Sequence, residues 1–329
     1  MGEVSNKAII QVKNLTKHFP VKKTKLFEPR SFVHAVNDVS FDIYEGETLG
    51  LVGESGSGKS TLGRTMINLY PATAGEVIYK EQNILELSDK KMKPLRKELQ
   101  IIFQDPYSSL NPRLNVFSII GEAMVEHKIA KKGKDLEDKV QEIMEICGLS
   151  AYHMYRYPHQ FSGGQRQRIG IARALALNPK FVVCDEPVSA LDVSIQSQIL
   201  NLMMDLQDRF GLSYLFISHD LSVVKHISQR IGVMYLGSIV EMASKEDLYK
   251  NPLHPYTQAL LAAIPKPDPN KKSDIGNIKG EIPSNVNLPK GCPFHTRCPY
   301  AKDICREKVP ETREMEKGHT VACHFAGEI

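Results

Sequence analysis

Eight residues, Gly53-Glu54-Ser55-Gly56-Ser57-Gly58-Lys59-Ser60, fit the pattern G-x-x-x-x-G-K-[ST]. This pattern suits the capture of a phosphate chain. Glycines let the backbone curl until successive N–H groups point inward at phosphate oxygens. The start of a following helix adds partial positive charge. Lys59 would set a point charge between the β- and γ-phosphates, and the Ser60 hydroxyl would ligate Mg²⁺. The candidate binding set is Gly53, Ser55, Gly56, Ser57, Gly58, Lys59, Ser60 and Thr61. A chance glycine-rich turn would not need a strand before it and a helix after it, and the sequence predicts both.

Phe181-Val182-Val183-Cys184 is an apolar run ending in two acids, Asp185 and Glu186. An acid at the carboxyl end of a parallel strand faces the ligand crevice. Asp185 is the candidate Mg²⁺ holder, and Glu186 the candidate general base that polarises the attacking water. Taken alone, such a pair is often a solvated strand end. The phosphate loop about 125 residues upstream turns the reading toward catalysis. Ser162-Gly163-Gly164-Gln165 is a second glycine-bearing helix start and so a second phosphate-binding surface. One nucleotide does not need two such surfaces on one chain. A dimer is therefore expected, with each nucleotide between one subunit's phosphate loop and its partner's Ser162–Gln165.

The elements that must position these residues alternate between strand and helix. Residues 8–19 and 33–44 read as strand regions, separated by a basic loop over 20–31. Thr48–Val52 is a short apolar strand running straight into the phosphate loop. Residues 85–100 and 116–149 read as mostly helical, with a charged insert at 131–139. Residues 165–177 form an amphipathic helix that Asn178-Pro179 stops. Residues 181–184 and 213–217 are buried strands, with a helix over 193–209 between them. This order predicts an α/β fold with a mostly parallel sheet covered on both faces.

Composition bounds the rest. The chain has 329 residues, about two domains' worth, and 42% of them are hydrophobic. A net charge of +4 is too mild to argue for nucleic acid. No apolar run approaches the roughly 18 residues a bilayer-spanning helix needs. Met1–Asn6 lacks the basic and apolar regions of a signal peptide, and Asn6 breaks the myristoylation pattern. A cytoplasmic chain is expected, with any membrane role coming through a partner. Of six cysteines, Cys147 and Cys184 stand apart and read as small buried hydrophobes. The other four, Cys292, Cys298, Cys305 and Cys323, crowd into the last 38 residues. In a reducing compartment that points to metal before disulfides.

With these motifs in hand, the chain resembles the nucleotide-binding subunits of ABC transporters over about residues 8–250. The set matches in order: the phosphate loop, Gln104 in Phe103-Gln104-Asp105, Ser162–Gln165, Asp185-Glu186, Ser189-Ala190-Leu191-Asp192, and Ser218-His219-Asp220. The resemblance implies a P-loop ATPase domain over 1–250, with a helical subdomain over about 90–178. It implies that Gln104 senses the γ-phosphate and Mg²⁺ and couples to a membrane partner. Asp192 would lie in the loop crossing the dimer interface, and His219 would contact the γ-phosphate. Tyr107, Ser108 and Leu110 would help form the groove receiving a coupling helix. Phe19 is the choice to stack on adenine, with Phe32 second. Phe161 enters the signature helix where Leu is commoner; both are apolar, so no loss of function is expected.

Asn251-Pro252-Leu253-His254-Pro255-Tyr256-Thr257, then Ala259-Leu260-Leu261, resembles the C-terminal extension of oligopeptide and dipeptide importer ATPases, which related nickel importers share. Such importers pair two ATPase chains with two membrane subunits and an extracytoplasmic binding protein. A sister ATPase, in a heterodimer or a homodimer, and a place on the cytoplasmic face of the membrane follow from that resemblance. A soluble ABC protein uncoupled from transport, or a module that holds ATP without hydrolysing it, are the rivals; Glu186 and His219 argue against the second. Residues 251–290 hold seven prolines and read as a linker into a small Cys-rich module within a 251–329 extension. The thiols are spaced C-x₅-C-x₆-C-x₁₇-C. They could bind a [4Fe–4S] cluster or tetrahedral zinc; the lack of a close C-x₂₋₄-C pair, and the resemblance, favour the cluster. His295, His319 and His324 could join a zinc site, but read first as solvated surface histidines.

Overall fold

Thr48–Val52 is apolar at alternate and intervening positions alike, and every one of its five residues is buried. That is how a strand covered on both faces reads. The computed structural model describes residues 7–22, 30–264 and 280–329. Met1–Asn6, most of the basic loop at 20–31, and the prolines at 265, 267 and 269 lie outside the described residues.

The chain begins with β1 (Ala8–Pro20), β2 (Phe32–Tyr44) and β3 (Thr48–Val52), followed by α1 (Lys59–Met66). Next come β4 (Ala74–Tyr79), β5 (Gln82–Asn83), α2 (Asp89–Leu95), β6 (Leu99–Ile102) and α3 (Pro106–Ser109). Then follow α4 (Val116–Glu126), α5 (Lys134–Ile146), α6 (Gly163–Leu175), β7 (Phe181–Asp185), α7 (Val193–Phe210) and β8 (Ser213–Ile217). The remainder is α8 (Leu221–Ile227), β9 (Arg230–Tyr235), β10 (Ser238–Ser244), α9 (Lys245–Lys250), α10 (Pro255–Ala262), α11 (Asp303–Glu307), β11 (Arg313–Glu316) and β12 (His319–Val321).

Contacts divide the chain into two compact units. One holds residues 7–9, Ile43–Glu47 and Glu86–Ile217. In it β6, β7 and β8 run parallel, with Leu99 opposite Phe181 and Asp185 opposite Ile217. Helix α6 packs against α3, α4 and α5. The other unit holds Ile10–Asp42, Thr48–Leu85 and Ser218–Ile329. It has a four-stranded sheet in the order β2-β1-β4-β5, antiparallel between β1 and β4 and between β4 and β5, and a second row in the order β11-β12-β10-β9-β3. In that row only β3 and β9 pair in parallel, with Leu49 opposite Arg230.

Several expectations need correction. Residues 99–102 are a strand, because the run Leu99-Gln100-Ile101-Ile102 pairs along β7. Much of the charged insert is the solvated face of α5, where Lys134–Asp138 and Asp135–Lys139 pair at 2.9 and 3.1 Å. The stretch from Asn251 is not a linker throughout. Pro255 opens α10, and His254, capping it, accepts from the Tyr256 N–H at 3.0 Å. The tail does not form a compact unit of its own: β12 pairs with β10, and Leu253, Val321, Cys323 and Ala326 share a small core.

His319 is not a surface histidine. Its side chain is 1% exposed, with Nε2 2.8 Å from the buried Glu241 carboxylate. Glu241 also accepts from the backbone N–H groups of Leu253 and His254, at 2.7 and 3.0 Å. One carboxylate on β10 therefore fixes both β12 and the entry into α10. Burial drives the neighbouring His254 down to about 4, so its imidazole caps α10 in the neutral form. Removing the Glu241 carboxylate strands three buried donors. Glu241→Ala is expected to lower the unfolding free energy by about 3 kcal/mol, read by urea unfolding, whereas a loss under about 0.5 kcal/mol would show that the carboxylate organises nothing.

Candidate nucleotide site

The phosphate loop leaves β3 and enters α1 within six residues, Gly53–Gly58. Gly53, Gly56 and Gly58 all have positive φ, at 150°, 79° and 103°. The turn is held from inside. Lys59, 4% exposed, folds its ammonium back onto the carbonyls of Gly53 and Glu54 at 2.7 and 2.9 Å. Ser57 N–H donates to the Glu54 carbonyl at 3.2 Å, and Leu62 N–H to the Gly58 carbonyl at 2.8 Å. The loop backbone is thereby curled with a buried cation at its centre, which suits a polyanion. Ser60 and Thr61 open the helix, half-buried, while Ser55 and Gly56 are exposed.

His219 and Phe19 belong to the same unit as the loop. Ser218 N–H donates to the Leu51 carbonyl at 3.1 Å, tying the Ser218-His219-Asp220 turn to β3 beside the loop's start. Asp220 accepts from Ser222 N–H at 2.7 Å and caps α8, while His219 is exposed. Phe19 is half-buried, edge-on to Tyr70 with ring centroids 5.7 Å apart, and the Lys17 ammonium sits 4.6 Å from its ring centre.

The other unit carries the remaining candidates. Asp185 ends β7 fully buried. Glu186 follows with φ 46°, a left-handed conformation costly for a glutamate. Its N–H donates to the Ile217 carbonyl at 3.0 Å, and Ser189 returns its N–H and hydroxyl to the Glu186 carbonyl. Gln104 Nε2 donates to the Glu186 carboxylate at 2.9 Å. The structure thus brings the candidate base and the candidate sensor together. Ser162 and Gln165 form a reciprocal capping box on α6, with bonds of 3.1 and 3.4 Å. Asp192 caps α7 by accepting from the Ile195 N–H at 3.0 Å. Each residue therefore shapes a helix start as well as holding its motif position.

Asp105 caps α3, and hydrogen bonds from the Tyr107 N–H and then from the Ser108 side chain and N–H hold its carboxyl below the usual range. Tyr107 is 65% exposed, with the Arg166 guanidinium 3.7 Å from its ring centre. Leu110 is 1% exposed. A side chain so buried does not line an exposed groove; Tyr107 and Ser108 do face outward. Cys147 and Cys184 are buried, and burial raises both thiols, the first to about 12.

The four tail cysteines line one small cavity together with Phe294 and His254. Burial pushes Cys292 up to about 12, reinforced by Cys305, Cys323 and Cys298; burial and neighbouring thiols raise Cys298 and Cys323 as well. Among the described residues, no three His, Cys, Asp or Glu side chains converge closely enough to hold a single metal ion.

Sequence reasoning missed Glu54, Tyr256, Asn285 and Arg297. The Arg297 guanidinium bonds the Glu54 carboxylate at 2.7 and 3.0 Å. The Glu54 N–H donates to the Tyr256 hydroxyl at 2.9 Å, and Asn285 donates to the Gly56 carbonyl at 2.8 Å. These partners lie 202 to 243 residues from the loop, where no local spacing could betray them.

This loop, with a strand-end acid pair and a signature helix, defines an ATP-binding cassette, and comparison bears the class out. The family model described as ABC transporter matches residues 36–189, and one described as Oligopeptide/dipeptide transporter, C-terminal region, matches residues 240–305. The chain belongs to the ABC transporter ATP-binding family and is an ATPase of that type. It is 53% identical to the oligopeptide transport ATP-binding protein AppF of Bacillus subtilis, over 99% of each chain. It is 52% identical to the oligopeptide transport ATP-binding protein OppF of the same organism, over 96% of each. Among solved structures, the dimeric post-hydrolysis state of the ATP-binding cassette MJ0796 bound to ADP and Pi aligns with a TM-score of 0.64 at 28% identity, covering 72% of this chain and 98% of that one.

The loop geometry makes a graded prediction. A Cβ on Gly58 would lie 2.0 Å from the Ala35 carbonyl oxygen, whereas one on Gly56 meets nothing within 4 Å. Gly58→Ala is expected to weaken MgATP binding by at least about 100-fold, and Gly56→Ala by about tenfold or less, since only the second is limited to backbone strain. Equal losses in a fluorescent-nucleotide titration would overturn this account of the loop.

Proposed function

We propose that the chain drives import of oligopeptides or dipeptides through a membrane permease by binding and hydrolysing ATP. The observation that carries this is the near-complete match to oligopeptide transport ATP-binding proteins. The C-terminal region of that transporter family, matched at 240–305, supports it. By the same reading the ATPase domain spans 1–250, with its helical subdomain about 90–178, and the importer-type extension spans 251–329.

Roles follow from chemistry and position. The backbone of Gly53–Gly58, with Lys59, would hold the phosphates, and Thr61 would extend that contact from the first turn of α1. Ser60, Asp185 and Gln104 would hold Mg²⁺, which neutralises developing phosphate charge when bound. Glu186 would polarise the attacking water; its bond to Gln104 supports a base oriented by the sensor residue. His219 would contact the γ-phosphate, and Phe19 would stack on adenine. Ser162, Gly163, Gly164, Gln165 and Asp192 would act across a dimer with a sister ATPase subunit. Two permease subunits would receive the motion near Tyr107 and Ser108, at the cytoplasmic face of the membrane. An extracytoplasmic binding protein would deliver the solute.

The extension would carry a [4Fe–4S] cluster on Cys292, Cys298, Cys305 and Cys323. Four thiols line one cavity, and their spacing has no close C-x₂₋₄-C pair, which suits a cluster better than tetrahedral zinc. Thiols that burial keeps protonated are deprotonated by ligation, so a bound centre would supply folding energy to the tail.

Two measurements test this reading. Glu186→Gln is expected to cut ATP turnover by roughly 10²–10⁴-fold while trapping MgATP in a stable dimer; surviving turnover would remove Glu186 as the base. Anaerobically purified protein is expected to be brown, with about four irons and four sulfides per chain. One zinc without sulfide would replace the cluster with a structural zinc site.

A further inference from the structure

A carboxylate inside a phosphate-binding loop is an electrostatic contradiction, and Glu54 is one. It sits between Gly53 and Ser55, where its charge would repel the polyanion that the loop collects. The structure answers with Arg297. Its guanidinium forms a two-bond fork on the Glu54 carboxylate, at 2.7 and 3.0 Å. The Arg297 side chain is 6% exposed and that of Glu54 25%, so solvent screens the pair only in part. Arg297 is aimed by Tyr235, whose hydroxyl accepts a longer bond at 3.4 Å. Tyr235 in turn packs with Tyr256 and Phe294, at ring-centroid distances of 4.7 and 5.3 Å.

The same stretch of chain grips the loop backbone at two more points. Tyr256 accepts the Glu54 N–H, and Asn285 donates to the Gly56 carbonyl. Asn285 is itself anchored, its carbonyl accepting the His34 N–H at 2.9 Å. Three residues, all beyond position 250, thus hold a loop that ends at position 58. Arg297 directly precedes Cys298, and Phe294 lines the cysteine cavity, so the grip is built on the same local framework as the thiols.

We propose that Arg297 is a positioning residue of the nucleotide site: it cancels the Glu54 charge and, with Tyr256 and Asn285, holds the phosphate loop in its anion-binding shape. The extension and nucleotide occupancy are then linked. Whatever loosens the extension weakens ATP binding, and bound ATP tightens the extension by the same free energy. This rests on reading the loop as the ATP site, which wild-type binding tests separately.

The test uses the full chain, in whatever metal-loaded form it purifies, with MgATP as the probe. Arg297→Gln is expected to raise the Kd and KM for MgATP by about tenfold while kcat changes less than about twofold. Glu54→Gln added to Arg297→Gln removes the uncancelled carboxylate and is expected to return Kd to within about threefold of wild type. A purely structural role would not give that rescue. A double variant as weak as Arg297→Gln, or an Arg297→Gln variant that binds like wild type, overturns the proposal while leaving the ATP site intact. Where Arg297→Gln does not fold, amide exchange on the wild-type chain decides. Saturating MgATP is expected to slow exchange at residues 292–300, and unchanged exchange there overturns the linkage.

Discussion

The phosphate-binding half of the nucleotide site follows from one geometric demand: the chain must turn from a buried strand into a helix while presenting backbone N–H groups to a single point. Six residues do this between Val52 and Lys59. Gly58 has φ 103° and only 2.0 Å between a hypothetical Cβ and the Ala35 carbonyl. The demand explains why Lys59 is buried and directed inward, and why partners from Tyr256, Asn285 and Arg297 converge on so short a segment. A loop built almost wholly of small residues has few side chains of its own to hold it. Its rigidity is borrowed from elements packed around it.

The acidic half of the chemistry is organised by a different economy. Glu186 takes a left-handed backbone conformation, which a side chain of its size adopts only where surrounding bonds over-determine it. Those bonds are present: its amide is tied to Ile217 and its carbonyl to Ser189, leaving its carboxylate facing Gln104. Strain at this residue is a means of aiming. The residues at helix starts work in a similar way. Asp192, Ser162 and Asp220 each satisfy a first-turn N–H, so the turn that holds each motif is set by the motif's own side chain.

Much of this was legible in the sequence because local chemistry dictates it. A strand, three glycines, a lysine and a helix can be read within a dozen residues, as can an apolar run ending in Asp185-Glu186. The helix boundaries around Gly163 and Val193 follow from their caps. What escaped was decided by partners far along the chain. Leu99 and Gln100 look like the end of a helix until β7 is beside them. His319 looks like a surface residue until Glu241 is found opposite. Leu110 carries no mark in its neighbours of being buried. Arg297 reads as an ordinary basic residue between two cysteines, and only the fold brings it to Glu54. Local rules place groups on elements; they do not say which carboxylate meets which cation.

The tail also changes what the sheet presents to other chains. Without β12, strand β10 would be the border of its row, with Val240, Met242 and Ala243 along an open ladder of N–H and C=O groups. Such a border is a template for adventitious strand addition. β12 covers it and β11 becomes the new border: four residues, all exposed, reading Arg313-Glu314-Met315-Glu316. A short, charged terminal strand is a poor template. The pairing of β12 on β10 therefore leaves the row ending in a strand that offers little for another sheet to extend.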